Sequence, residues 1–364
     1  MTDRNGKTVI FRMNGIGNAF LREMGCHACP QCSADKPRAS TSGSLIIKNG
    51  RQVEKHLLFD FGPGVADSLM DFSIGWIDIL FNSHNHFDHL ADLDRLLNSL
   101  RRTQRDKFKS NPPVLYSTVE TWKKGIAWSY PWLAGMVNWK NINREVATGN
   151  PIDPGTINLG INLKVTPVPV YHGSNAHEPI IFVVEFGNGK SYKKLVLCWD
   201  LLHLVTKHPA PSGVGPAPPD SYVPESKPTG PGSWGYPTDD YPEKPEDRDK
   251  LYSGLDNPAQ NLSDDELLPE HQILKGAHEL FIAGNTVTSQ PQTGHASIKA
   301  GFGLIRRINP LRAWIVHYSG HEDPFGPFSD DQLQDWIDKN KANYDLGNKE
   351  ILVAQHGMVL AYDV

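Results

Sequence analysis

Residues 83–89 read "SHNHFDH", which places three histidines and one aspartate within six positions, directly after the apolar run "IGWIDILFN". No other stretch constrains the fold as much. An H-x-H-x-D-H segment can aim four side chains at one small volume only from a loop, and the apolar run before it reads as a buried strand that ends there. Imidazole clustered this densely has little packing rationale, because polar groups taken out of water need partners. Imidazole nitrogens suit Zn, Fe or Mn, and a carboxylate in the same set widens the site for a second divalent ion.

Two ions need more ligands than one loop supplies, and candidates recur downstream where apolar strands end. His172 closes "VTPVPVYHG", Asp200 closes "KKLVLCWD" and His317 closes "RAWIVHYSG". Each of the three, taken alone, is as readily a core or surface residue. Taken with His84, His86, Asp88 and His89 they form a ligand set for a metal pair.

Short strands predominate in both halves: 7–12, 44–48, 56–64, 76–82 and 113–118, then "PIIFVVEFG", "KKLVLCWD", "RAWIVHYSG" and "EILVAQHGMVLAYDV". Leucine spacing predicts a helix over 90–104, and another is expected over 296–308. This mixture predicts an α/β (α+β) fold, a four-layer αββα sandwich of two mixed sheets flanked by helices, as a single domain over 1–364. A proline- and glycine-rich segment at about 205–265 cannot build its own core and reads as a surface insertion. The Trp-rich stretch "WKKGIAWSYPWLAGMVNW" (122–139) reads either as a packing helix or as a cleft wall able to stack on a base or sugar.

The formal net charge of −5 gives no electrostatic footprint for nucleic acid, although a local basic groove stays open. No apolar run is long enough to span a membrane, and the polar start "MTDRNGKTVIF" is not a secretory signal, so a cytoplasmic location is expected. Three of the four cysteines crowd into "GCHACPQC" as Cys26, Cys29 and Cys32, a spacing that suits one metal ion better than disulfides.

H-x-H-x-D-H after a strand, the upstream "FDFGPG" and the three strand-end ligands together resemble the metallo-β-lactamase superfamily over nearly the whole chain. The resemblance implies that His84, His86 and His172 hold one metal and that Asp88, His89 and His317 hold the second, with Asp200 bridging. It makes Asp60 a partner that orients a ligating histidine. The cysteine cluster after the first strand is similar to the branch that includes phosphoribosyl cyclic phosphate phosphodiesterase and the B protein of pyrroloquinoline quinone biosynthesis. That likeness implies a structural zinc held by Cys26, Cys29, Cys32 and His321, with His27 as a competing fourth ligand. The C-x2-C-x2-C spacing and the four-residue step from His317 to His321 depart from that branch. "TGHASIKAGFGLIRRINPLRAWIVHYSGH" and "AQHGMVLAYDV" also resemble the branch, and the first makes His295 a candidate general acid, with a plain helix-terminus histidine as the alternative.

The activity implied is a dinuclear hydrolase, most readily a phosphodiesterase acting on a small or cyclic phosphodiester through a metal-bridging hydroxide, with Asp88 and His295 as catalytic residues. The implied cofactors are two Zn or Mn ions, or Fe, in the active site, and one structural Zn. Trp199 and Leu201, beside Asp200, are expected to reshape the pocket floor. A lactonase or β-lactamase chemistry on the same site, an iron-dependent oxygenase and an RNA-processing nuclease remain rival readings. A homodimer is open, because many relatives dimerise.

Overall fold

In a computed structural model of the chain, residues 7–18, 26, 32, 38–142, 161–172, 178–201, 203–204, 269–289, 295–321 and 323–364 are described. One seven-stranded sheet contains β1 (Lys7–Gly15), β2 (Ser42–Asn49), β3 (Gln52–Phe59), β4 (Ile79–Phe81), β5 (Val114–Ser117), β6 (Asn138–Asn141) and β14 (Val359–Asp363), in the order β14-β1-β2-β3-β4-β5-β6. The other contains β7 (Lys164–Tyr171), β8 (Ile180–Phe186), β9 (Lys193–Cys198), β10 (His203–Leu204), β11 (Glu279–Ala283), β12 (Arg312–Val316) and β13 (Glu350–Val353), in the order β10-β7-β8-β9-β11-β12-β13. Helices α1 (Val65–Asp71), α2 (Leu93–Thr103) and α3 (Arg105–Ser110) lie in the first half of the chain, and α4 (Ile298–Ile308) and α5 (Asp330–Asn340) in the second.

Alternation along the strands explains the layering. In β8, Ile180, Phe182, Val184 and Phe186 enter the core between the sheets, where they join Phe59 and Phe81. Ile181 and Val183 face the opposite way and pack with Phe302 and Ile305 of α4 and Ile337 of α5. The first sheet does the same with Leu58 and Leu80, which meet Leu93, Leu97 and Leu100 of α2. Sheets buried on both faces read as continuous apolar runs, as "PIIFVVEFG" does, and they need a helix layer outside each. The result is the αββα sandwich.

Strand direction then fixes where the chemistry sits. β3, β4, β5 and β6 run parallel to one another. β9, β11, β12 and β13 are also parallel, and β7 shares their direction because it and β9 both pair antiparallel with β8. The C-terminal ends of β7, β9, β11 and β12 therefore share one edge, the position at which open sheets of this kind gather ligands.

Two local expectations change. The strand expected over 76–82 is paired only over Ile79–Phe81, because Trp76 and Asp78 turn to His56: the Trp76 carbonyl accepts from His56 Nδ1 at 2.9 Å, and Asp78 Oδ2 accepts from the His56 backbone N–H at 2.8 Å. The Trp-rich stretch is not one helix. It makes a wide π-type turn at Thr121–Ala127, a 3-10 turn at Pro131–Gly135, and then β6. Pro131 has no N–H to continue the first turn. The insertion at 205–265 lies outside the described residues.

Phe182 sits 5.5 Å, centroid to centroid, from both Phe59 and Phe81, and so joins the two sheets at the centre of the sandwich. Phe182→Ala is expected to lower unfolding stability by about 3–5 kcal/mol, read from urea denaturation, since both sheets are held apart by neighbours that cannot collapse into the space.

Candidate metal centre

The loop from Asn82 to His89 follows β4, and its shape is imposed by Asp60 just past β3. Asp60 is fully buried, and donors surround its carboxylate. Oδ1 accepts from the Ser83 backbone N–H at 2.7 Å and from Asn82 Nδ2 at 3.1 Å. Oδ2 accepts from Ser83 Oγ at 2.7 Å and Trp199 Nε1 at 2.9 Å, and lies 2.9 Å from His89 Nδ1. Asp60 holds a left-handed backbone (φ 54°) that non-glycine residues adopt only when their surroundings enforce it. Two residues on, Gly62 is dictated by contact: a Cβ there would stand 1.6 Å from the Asp88 carbonyl oxygen. The "FDFG" segment is thus the seat on which the histidine loop rests.

Onto this edge come the strand-end residues. His84 Nε2 lies 3.3 Å from Asp200 Oδ2, His89 Nε2 lies 2.8 Å from the same oxygen, and His172 Nε2 lies 3.2 Å from Asp200 Oδ1. His172 Nε2 is also 3.2 Å from His86 Nδ1, and Asp88 Oδ2 is 3.3 Å from the Nε2 atoms of both His89 and His317. Two groups result, His84–His86–His172–Asp200 and Asp88–His89–Asp200–His317, each offering ligand atoms within 4.8 Å of one another. All seven residues the sequence singled out are brought together, with Asp200 common to both groups.

The donors fit divalent cations. Buried ring nitrogens His84 Nε2 and His89 Nε2 lack a good hydrogen bond although both face the buried Asp200 Oδ2, and His86 Nε2 is also buried without one, an arrangement that costs several kcal/mol unless a cation fills it. Burial first, and then the neighbouring His89 and His86, push the His84 ring well below its ordinary value. Burial and the adjoining His172 take His86 down to about 3, so both rings present lone pairs at neutral pH. Burial works against charge on Asp200, yet His172, His295 and His317 hold its carboxyl well below the usual carboxylate range. Asp88 is likewise buried, and His89 and His317 keep it ionised. His89 goes the other way: burial disfavours its charge, but Asp88 and Asp60 outweigh that and raise it. Neutral His84 and His86 beside ionised Asp88 and Asp200 are the protonation states a metal requires, and a cation bound at His89 would have to displace the proton its carboxylate neighbours stabilise.

His295 precedes α4, whose Ser297 N-cap accepts from the Ala300 N–H. Its Nδ1 lies 2.7 Å from Asp200 Oδ1, and its ring is 4.7 Å from that of His172 and 4.8 Å from that of His317. The second cluster also assembles: Cys26, Cys32 and His321 offer ligand atoms within 4.8 Å, with Cys32 Sγ 3.2 Å from His321 Nε2. Cys29 and the alternative ligand His27 lie outside the described residues. Trp199 and Leu201, expected to reshape the pocket floor, flank Asp200. Both are buried, and the Trp199 indole points at Asp60. Ser83 escaped sequence reading; its hydroxyl lies 2.9 Å from His84 Nδ1, so it orients one candidate ligand while Asp60 orients another. A small residue before the first motif histidine was the only signal.

Comparison with known proteins agrees with this geometry. The sequence pattern of the beta-lactamase superfamily domain matches residues 55–192, which include Asp60, the histidine loop and His172. A new diphosphatase from the PhnP family is similar in structure with a TM-score of 0.59, at 15% identity, covering 97% of each chain. The human short-form tRNase Z is similar at a TM-score of 0.50 and 14% identity, covering 96% of this chain and 98% of that one. YhfI of Bacillus subtilis, a metallo-β-lactamase fold protein, gives 0.50 at 12% identity, covering 97% and 99%. Among curated proteins no sequence matches significantly. Residues 55–192 thus carry the beta-lactamase superfamily domain pattern, and the chain as a whole has the metallo-β-lactamase fold.

Asp60→Asn keeps the volume of the side chain but removes the charge that faces His89 and one of its acceptor oxygens. It is expected to weaken metal binding about 10–100-fold, measured by competition with a chromogenic chelator, while leaving the far-ultraviolet circular dichroism unchanged.

Proposed function

We propose that this chain is a dinuclear metal-dependent hydrolase acting on small or cyclic phosphodiesters. The observation that carries the reading is the shared carboxylate. Asp200 reaches His172 with Oδ1 and His89 with Oδ2, and so belongs to both ligand groups. A fold shared with proteins named as a diphosphatase and a tRNase supports phosphorus as the electrophile. In this reading His84, His86 and His172 would hold one ion and Asp88, His89 and His317 the other, with Asp200 available to both. Cys26, Cys32 and His321 would hold a structural zinc, for which the sequence offers Cys29 as a further ligand.

Divalent ions in these groups would supply a water acidic enough to attack phosphorus at neutral pH, and positive charge against the non-bridging oxygens. The protein's own residues do the rest. Asp88, kept ionised between His89 and His317, accepts a hydrogen bond from the attacking water and sets its direction. His295, whose Nδ1 lies 2.7 Å from Asp200 Oδ1, is placed to deliver a proton to the departing ester oxygen as the P–O bond breaks. Burial of Asp88, His89 and His317 keeps bulk water from competing for these contacts.

Metal analysis of freshly purified protein, followed by assays on cyclic nucleotides, cyclic sugar phosphates and bis-(p-nitrophenyl) phosphate, tests the proposal. Two Zn or Mn per active site and diester turnover are expected. A single iron with oxygen uptake points instead to redox chemistry. Asp88→Ala is expected to remove nearly all turnover. His295→Ala is expected to keep the metal and lose about 10²–10⁴-fold on alkyl leaving groups, with a smaller loss on p-nitrophenolate, which needs no proton. Full activity of His295→Ala on an alkyl diester removes that role.

A further inference from the structure

Strand β9 feeds Leu195 and Leu197 into the core between the sheets, and Trp199 continues that alternation one step past the strand's end. Asp200, the next residue, turns instead to the metal edge. The Trp199 indole is buried and reaches across to the first sheet, where Gly43 of β2 makes room for it. A Cβ on Gly43 would stand 3.2 Å from Trp199 Cη2 and 2.7 Å from Phe11 Cζ. An apolar ring would fill this space as well. What the indole adds is an N–H, which is costly in a dry core unless an acceptor meets it.

That acceptor is Asp60 Oδ2, at 2.9 Å. Among the described residues the other donors to the Asp60 side chain, Asn82, Ser83 and His89, all belong to the histidine loop, so Trp199 is the second sheet's single hydrogen bond to it. The contacts close into a circuit. Asp60 Oδ2 also lies 2.9 Å from His89 Nδ1, His89 Nε2 lies 2.8 Å from Asp200 Oδ2, and Asp200 is peptide-bonded to Trp199. The first sheet delivers His89 and the second delivers Asp200. Between the sheets the core is apolar, as at Phe59, Phe81 and Phe182, and apolar contact has no direction. A hydrogen bond does, and ligand geometry has to be held to within about 0.5 Å.

We propose that Trp199 is a positioning residue of the metal centre: acting through Asp60, its indole N–H fixes the His89 ring against Asp200, so that ligands carried by two different sheets meet at the spacing a cation needs. This rests on the metal-binding part of the reading above and is independent of the bond that is cleaved. Trp199 itself touches neither cation nor substrate in this account; its effect passes through the carboxylate that orients the ligand.

The test reads metal binding and needs no turnover. In a Co²⁺ titration, thiolate charge-transfer bands mark the cysteine cluster, and d–d bands without them mark the His and Asp groups. Trp199→Phe keeps a ring in the core and removes the N–H. It is expected to weaken Co²⁺ at the His and Asp groups about tenfold and to shift their d–d bands, with the cysteine cluster unchanged. Combining it with Asp60→Asn is expected to cost no more than Asp60→Asn alone, because the two act along one path. Additive losses, or a Trp199→Phe protein that melts earlier yet binds Co²⁺ as the wild type does, make Trp199 a packing residue; either overturns the proposal and leaves the metal reading standing. A wild type that takes up no Co²⁺ at the His and Asp groups overturns both. Nitrogen-15 labelling of the nine tryptophans puts the same question to the unaltered side chain. One indole N–H resonance is expected to move both in Asp60→Asn and on adding Zn²⁺ to the wild type, and the absence of such a resonance overturns the proposal.

Discussion

The carboxylate of Asp60 organises the metal edge. A buried anion is costly unless it is surrounded by donors, and here a backbone N–H, three side-chain N–H groups and a hydroxyl converge on it from the histidine loop and from the end of β9 in the second sheet. The contact from Trp199 spans 139 residues of sequence, so the same side chain that shapes the histidine loop also joins the two sheets. Its left-handed backbone is matched across the site by His317 (φ 64°), and both conformations persist because packing on each side enforces them.

Around that centre the topology does the collecting. Parallel strands deliver their C-terminal residues to one edge, and apolar alternation on both faces keeps each strand in register. His172, Asp200 and His317 need only be the first or second residue past a buried strand to arrive together. Gly62 adds a steric rule: without a side chain, the Asp88 carbonyl can approach and the loop can close.

Much of this was readable in the sequence because the relevant signals are local. A dense histidine loop after an apolar strand, and three apolar runs that end in His or Asp, mark the candidate ligands without any knowledge of the fold. Continuous apolar runs such as "PIIFVVEFG" mark strands buried on both faces. What depends on distant partners was not readable. Nothing near Trp199 in sequence says that its indole serves Asp60, and so it reads as a cleft residue when it is in fact buried. The π-type turn at Thr121–Ala127 follows from Gly125 packing on Asn85, a contact between segments forty residues apart that helical spacing cannot anticipate. Ser83 looks like an ordinary loop serine until its hydroxyl is seen between Asp60 and His84.

Two cation sites sharing Asp200 is the central claim, and anomalous diffraction tests it most directly. Crystals grown with Mn²⁺ or Zn²⁺ and measured at the metal's absorption edge should show two peaks, one on either side of the Asp200 carboxylate, among His84, His86 and His172 and among Asp88, His89 and His317. A single peak, or metal only at Cys26, Cys32 and His321 with the Asp200 cleft holding none, would contradict it.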